Sequence, residues 1–380
     1  GLEVKTSLDL DLQNQAQTIV SAEVEKLKHF KISNGAALVT NPKTGEILAM
    51  VRGANSYDFV HDGQVNVTIR PRQPGSSIKP LTYALAFEKG KNAASIIEDA
   101  PVVYQIPGSK PYAPKNYDGR FHGRVTLREA LASSYNIPAV KLAAELGVNN
   151  LIDKAEALGI TTWQDRKRFG LSLTLGAGEV LMTELATVYS SFANLGYPVT
   201  LNPFLEISNY KGEILYRNQC ALDTSNCYEN LELSPKAAYL ITDILIDNQA
   251  RTPAFGAFSV LQIPNQQVAV KTGTTNSMKD NWTIGYVSDR LVATWVGNND
   301  NTAMSYVASG ITGASPIWNK IMLLLLDEQK PHRFLIPENM IKLKICASTG
   351  TLPCAKCPRV IEEIFVKGTE PKQACNDSSF

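Results

Sequence analysis

Two blocks of short, β-branched or aromatic runs stand far apart in this 380-residue chain, and that separation limits the available folds more than anything else. The early block, GAALVTNPKTGEILAMVRG, reads as two apolar strands joined by the turn residues Asn41, Pro42, Lys43, Thr44 and Gly45. The late block, QVAVKTGTT, NWTIGYVSD and LVATWVGNND, reads as three consecutive antiparallel strands. Between them lie a loop-rich stretch from Glu98 to Gly123, a mainly helical region from Thr126 to about Gly196, a hairpin from Leu201, and the capped amphipathic helix SPKAAYLITDILIDN. A helix over Leu10 to Leu27, led by TSLDLD, opens the chain, and Gly313 to Leu326 is again helical. This order predicts an α+β domain whose sheet joins early and late segments around a helical insertion.

At 44% hydrophobic residues the chain has ample core, and its net charge of +1 points to neither nucleic acid nor an anionic membrane surface as partner. The longest aliphatic run, Ile321 to Leu326, is too short to span a bilayer. The first residues show neither an initiator Met nor a signal segment, which reads as an excised or processed soluble part. Of six cysteines, Cys220 and Cys227 bracket a polar loop while Cys346, Cys354, Cys357 and Cys375 crowd the tail beyond Pro331. An even count in loops favours disulfides in an oxidising compartment; the CxxC at Cys354 and Cys357 also fits half of a zinc knuckle, although the other tail spacings are irregular. His29, His61, His122 and His332 are scattered, so no metal or other cofactor is expected elsewhere.

Chemistry concentrates in RQPGSSIKPLTYALAF, Arg72 to Phe87. Residues three apart share a helix face and residues two apart do not, so Ser76 can meet Lys79 and Ser77 cannot. Pro74-Gly75 stops the preceding segment, Ser76 is a suitable N-cap, and Pro80 is tolerated in a first turn. Two further motifs, SYN at Ser134 to Asn136 and KTG at Lys271 to Gly273, complete a set known from penicillin-binding proteins and serine β-lactamases. The decoys SNYK at Ser208 and PKTG at Pro42 are rejected by context: the first lies in a strand, the second at a hairpin tip.

A serine hydroxyl needs a neighbour to take its proton, and no histidine is suitably placed, so a Ser-Lys arrangement is the economical one. Lys79 must then be neutral; burial and a like charge on Lys271 both act in that direction. Ser134 is expected between the two lysines as a relay, with Asn136 holding Lys79 or a substrate amide. Lys271, Thr272 and Thr274 suit a substrate carboxylate, and Gly273 lets a substrate backbone approach the strand. The backbone N–H groups of Ser76 and Thr274 are the expected oxyanion hole.

Over nearly its whole length the chain resembles the transpeptidase domain of class A penicillin-binding proteins. NYDGRFHGRVTLREALASSYNIPAVKLA, LSLTLGAGEVLMTELATVYSSFANLGY and VAVKTGTTNSMKDNWTIGYVSDRLVATWVGN carry the likeness alongside RQPGSSIKP. NYDGRFHG, the ARTPAFG segment and the Cys-bearing tail place it nearest the penicillin-binding protein 1C type. The resemblance implies a central antiparallel sheet flanked by helices with a mostly helical second lobe over roughly residues 90–200, in a domain spanning 1–330, followed by a Cys-containing tail over 331–380. It implies that Ser76 acylates on peptidoglycan stems ending in D-Ala-D-Ala, that a neighbouring stem amine resolves the acyl-enzyme, and that β-lactams acylate the same serine. Other cell-wall assembly proteins are expected partners, at the extracytoplasmic face, with membrane contact only through an N-terminal anchor missing here.

Four other readings share the motifs. A DD-carboxypeptidase would let water resolve the acyl-enzyme, and a β-lactam-sensing module would use acylation as a signal beside a transmembrane transducer. A β-lactamase would need a deacylating glutamate, and Glu179 in GAGEV reads as structural. A catalytically dead scaffold would have lost Ser76 or Lys79. Tyr112, Tyr117 and Phe121 are candidates for the groove wall or for simple loop packing.

Overall fold

The computed structural model describes every residue except 56, 59, 107, 109, 229, 306–310, 328 and 377–380. The chain opens not with a helix but with a strand, β1 (Leu2–Thr6). Helix α1 (Leu10–Leu27) then forms over the expected residues, capped by Asp9, whose side chain accepts from the Leu12 N–H. It buries Leu12, Ala16, Val20, Val24 and Leu27 as one stripe. The early hairpin is β2 (Asn34–Thr40) and β3 (Ile47–Val51).

A 3-10 turn, Gly75–Ile78, leads into α2 (Lys79–Glu88), so the α-helix starts three residues later than expected and Ser76 is not its cap. Proline explains the shift: an α-turn through Pro80 would press its ring against the Ser76 carbonyl four residues back. That carbonyl instead accepts the Lys79 N–H in the tighter geometry. Every residue of α2 from Lys79 to Phe87 is buried, as befits a helix with no polar face.

The loop-rich stretch is bracketed by a short pair that periodicity did not reveal, β4 (Ile96–Asp99) and β5 (Gly123–Thr126). The helical region follows as α3 (Leu127–Ala132), α4 (Asn136–Leu146), α5 (Val148–Ala157), a 3-10 turn at Leu171–Leu175, and α6 (Met182–Ala193). The second hairpin, β6 (Phe204–Asn209) and β7 (Ile214–Arg217), takes β1 as a third strand. Then come α7 (Gln219–Leu222), α8 (Pro235–Ile246), α9 (Asn248–Phe255), the three late strands β8 (Ala269–Thr274), β9 (Asp280–Tyr286) and β10 (Leu291–Gly297), and α10 (Ala314–Leu325).

The main sheet has the antiparallel order β3-β2-β10-β9-β8, so early and late segments join through β2 and β10, with Ala37 opposite Thr294. One face, including Ala37, Val39, Val292 and Val296, packs on α1 and α10. The other, with Leu38, Trp282 and Trp295, packs on α2, α6 and α8. Covered on both faces, β2, β9 and β10 are buried throughout.

The tail holds a hairpin, β11 (Met340–Cys346) and β12 (Val360–Val366), whose Ile345 and Phe365 pack on Ala94. Disulfides join Cys346 to Cys357 and Cys354 to Cys375, so all four tail cysteines are consumed and the CxxC pair supplies no thiolate for zinc. Cys220 and Cys227 are free.

Candidate active site

Backbone contact assembles the site. Gly75 adopts φ +54°, and a Cβ there would stand 2.7 Å from the Thr274 carbonyl carbon. On the other side, a Cβ on Gly176 would collide with the Gly75 backbone. The space at Gly273 is filled by this chain itself, because a Cβ there would strike the Pro74 carbonyl oxygen and come within 2.9 Å of the Ser77 nitrogen. Gly273 thus lets the SSIK turn sit against β8, a use within the protein itself. Trp282 Nε1 donates to the Gln73 carbonyl at 2.8 Å, and the Tyr189 hydroxyl to the Ser77 carbonyl at 2.7 Å, which fixes the turn from two further elements.

The two serines part company here. Ser77 is fully buried and its hydroxyl donates to the Pro74 carbonyl at 2.7 Å. Ser76 is partly exposed and lines a cavity of about 320 Å3, shared with Ser134, Asn136, Thr272 and Thr274. With Gly75 packed on the Thr274 backbone, the two residues named for the oxyanion hole stand at one wall of that cavity.

Ser134 occupies the joint between α3 and α4 with φ +62°, a left-handed conformation unusual for a residue with a side chain. Its hydroxyl oxygen is 2.8 Å from Lys271 Nζ and 3.4 Å from Lys79 Nζ, the bridging position expected of it. Lys79 Nζ also donates to Asn136 Oδ1 at 2.7 Å and to the carbonyls of Ser134 and Tyr135 at 2.5 and 3.1 Å. Asn136 gives one amide hydrogen to the Lys115 carbonyl at 2.8 Å, so it serves the lysine and its own chain first.

Complete burial pushes Lys79 well below the usual lysine range, the charge of Lys271 adds to that, and Asp99 acts in the opposite sense. Neutral, the amine has two hydrogens to share among Asn136 Oδ1 and the two carbonyls, and a lone pair for a hydroxyl. Burial and then the Arg251 guanidinium bring Lys271 down to about 7. Arg251, Asp99 and Asn116 are participants that motif spacing did not single out, although ARTPAFG and NYDGRFHG contain two of them. Of the aromatic candidates, Tyr117 lines the cavity with Tyr135 and Phe255, whereas Tyr112 pairs backbone to backbone with Tyr104 and Phe121 is not in the wall. Glu179 is engaged by Arg168 at 2.9 Å outside the cavity. Among the described residues no cluster of three His, Cys, Asp or Glu is placed to hold a metal, and no helix is long and apolar enough to cross a membrane.

Residues 35–323 match the penicillin-binding protein transpeptidase domain, and residues 336–379 the C-terminal domain of penicillin-binding protein 1A. Penicillin-binding protein 1A of Neisseria meningitidis serogroup A is 32% identical over 312 residues, covering 81% of this chain and 38% of that protein. The chain therefore spans about two fifths of the length of such curated relatives. In fold it is similar to the crystal structure of penicillin-binding protein 1A from Haemophilus influenzae, with TM-score 0.84 at 22% identity over 99% of this chain and 73% of that one. It is likewise similar to PonA1 from Mycobacterium tuberculosis solved with penicillin V, with TM-score 0.71 at 20% identity over 89% of each chain. With the family model matched across the sheet, the helical lobe and all three motifs, the chain belongs to the transpeptidase family of class A penicillin-binding proteins of the 1A kind.

Proposed function

We propose that this chain carries out serine acyl transfer on peptidoglycan stems ending in D-Ala-D-Ala. The observation that carries the reading is Ser134 Oγ held between Lys79 and Lys271 in a cavity that Ser76, Thr272 and Thr274 also line. Lys79, neutral and three residues on in a tight turn, receives the proton as Ser76 attacks the penultimate carbonyl. The backbone N–H groups of Ser76 and Thr274 take the developing oxyanion. Ser134 passes a proton to the departing D-Ala amine, while Lys271, Thr272 and Thr274 hold its carboxylate. A neighbouring stem's side-chain amine then attacks the ester, and the cross-link forms as Ser76 regains its proton. β-Lactams acylate Ser76 as donor mimics.

A donor peptide ending in D-Ala-D-Ala, incubated with an amine acceptor and followed by mass spectrometry, is expected to give released D-Ala and a cross-linked product. D-Ala without cross-link makes the chain a DD-carboxypeptidase; neither product, with no penicillin adduct, ends the acyl-transfer reading. A sensor would acylate with β-lactam yet turn over no peptide.

The two tail disulfides suit the extracytoplasmic face, where peptidoglycan and other wall-assembly proteins are the expected partners. The chain is read as a domain to residue 330 and a tail beyond it. A 1C-type branch rests on NYDGRFHG, ARTPAFG and the tail cysteines alone, while the relatives named above are of the 1A type.

The charge on Lys271 gives the reaction a pH signature. A group lowered to about 7 is ammonium below that pH and amine above it. The second-order rate of acylation by a chromogenic cephalosporin is therefore expected to fall as pH rises through about 7, because the substrate carboxylate loses its counter-charge. In Lys271→Arg, whose guanidinium stays charged, the alkaline limb disappears. A flat profile in the parent protein from about pH 6 to 9 sinks this assignment.

A further inference from the structure

The NYDGRFHG loop reaches the catalytic lysine through one asparagine. Asp99, the last residue of β4, is fully buried. Its carboxylate accepts twice from Asn116 Nδ2, at 2.9 and 2.7 Å, and once from the His122 N–H at 3.0 Å, and it lies 2.6 Å from His122 Nδ1. Asn116 Nδ2 also donates to the Arg120 carbonyl at 2.8 Å. With its amide hydrogens committed this way, the Asn116 oxygen faces α4 and accepts the N–H groups of Asn136 at 2.7 Å and Ile137 at 3.3 Å.

Helix α4 needs such an acceptor. Its own cap position is Tyr135, which supplies no side-chain hydrogen bond. Asn116 thus caps the helix from a separate loop. Its neighbour Lys115 accepts from Asn136 Nδ2 with its carbonyl at 2.8 Å. Two adjacent loop residues fix the backbone and the side-chain amide of Asn136, and the atom left over, Oδ1, is the one 2.7 Å from Lys79 Nζ. Stacking of His122 on Tyr135, ring centres 3.9 Å apart, holds the same joint from the other side.

We propose that Asn116, anchored by Asp99, is a positioning residue for acylation: it orients Asn136 and, through it, the amine of Lys79. The proposal rests on Lys79 acting as the base of the reading above. Asn116 borders the cavity, but its amide hydrogens and oxygen are spent on Asp99, the Arg120 carbonyl and the α4 backbone, so its loss should slow bond formation rather than weaken β-lactam binding.

The test is stopped-flow acylation by a chromogenic cephalosporin, which separates the binding constant from the acylation rate constant, on protein shown to be folded by thermal melting. Asn116→Asp removes the donors to Asp99 and sets two carboxylates together; a ten- to hundred-fold fall in the acylation rate constant with little change in the binding constant is expected. The swap Asp99→Asn with Asn116→Asp restores the donor-acceptor pair in reverse and should recover the rate to within about threefold. A folded Asn116→Asp protein that acylates within twofold of the parent overturns the proposal, as does a folded swap protein that remains as slow as the single variant. If neither folds, Asn116→Ser decides by the same rate criterion. Failure of the parent protein itself to form an adduct on Ser76 would count against the proposed function instead, so the two failures are distinguishable.

Discussion

Ser76→Ala is expected to abolish the benzylpenicillin adduct altogether, whereas Ser77→Ala keeps the adduct and loses on the order of 1 kcal/mol of stability. The adjacent hydroxyls have opposite surroundings. Ser77 is fully buried and donates to the Pro74 carbonyl; because the Ser77 N–H also reaches that carbonyl, at 3.2 Å, removing the hydroxyl leaves the acceptor partly satisfied and the cost small. Ser76 alone opens on the cavity that Ser134, Thr272 and Thr274 line. Without it there is no atom to carry the acyl group, and reaction falls to the uncatalysed background. The adduct should also be long-lived, since Glu179, the one carboxylate considered for activating a deacylating water, is engaged by Arg168 outside the cavity. Intact-mass analysis followed by peptide mapping reads both points: a label on Ser77, or one surviving in Ser76→Ala, places the nucleophile elsewhere.

What the sequence made legible was whatever depends on short-range pattern. The Leu10–Leu27 stripe follows from a period of 3.6, the early hairpin and late strands from apolar runs bounded by turn residues, and the joined sheet from the order of elements, and the structure has them. The identity of the motif residues was equally plain, because a Ser-Lys site needs few residue types in a fixed order. What it hid depends on contacts between distant segments. Strands β4 and β5 are four residues each, too short for periodicity to register, and exist because they pair across the loop between them. The use of Gly273 within the protein was invisible, because only the folded chain shows Pro74 and Ser77 against it. The start of α2 was misplaced because a capping serine was weighed and the ring of Pro80 against the Ser76 carbonyl was not. Asp99 carried no signal, and Asn116 none beyond its place in NYDGRFHG, since a buried asparagine that caps a helix twenty residues on looks, in sequence, like any turn residue.

The tail shows the same limit and gives the largest expected effect on stability. Read as composition it is a Pro-, Lys- and Cys-rich extension, yet Glu363 of β12 is almost wholly buried against Arg128 of α3. Arg128 grips that carboxylate with Nε and Nη2, at 2.8 and 2.5 Å, and also reaches Asp243 of α8 and Asp247 at the head of α9. Burial works to lower its pKa, yet these carboxylates, Glu363 foremost, hold it well above the usual arginine range. Arg128→Met should therefore cost about 3–5 kcal/mol, because it strands a buried carboxylate without its counter-charge, leaving it only the Ile364 N–H at 2.8 Å. Adding Glu363→Met should return most of that loss, since a buried ion pair and a well-packed apolar pair differ little in net stability. The loss is expected to reach the site as well: Asp247 caps α9 through the Ala250 N–H at 2.9 Å, the Ala250 carbonyl accepts from Ser133 beside the catalytic joint, and Pro253 to Phe255 form the cavity wall. Denaturant titration of the parent, the single and the double variant measures the first effect, and penicillin acylation of the folded proteins the second. A midpoint for Arg128→Met indistinguishable from the parent would mean that the tail merely rests on the helical lobe and that the buried pair does not hold it there.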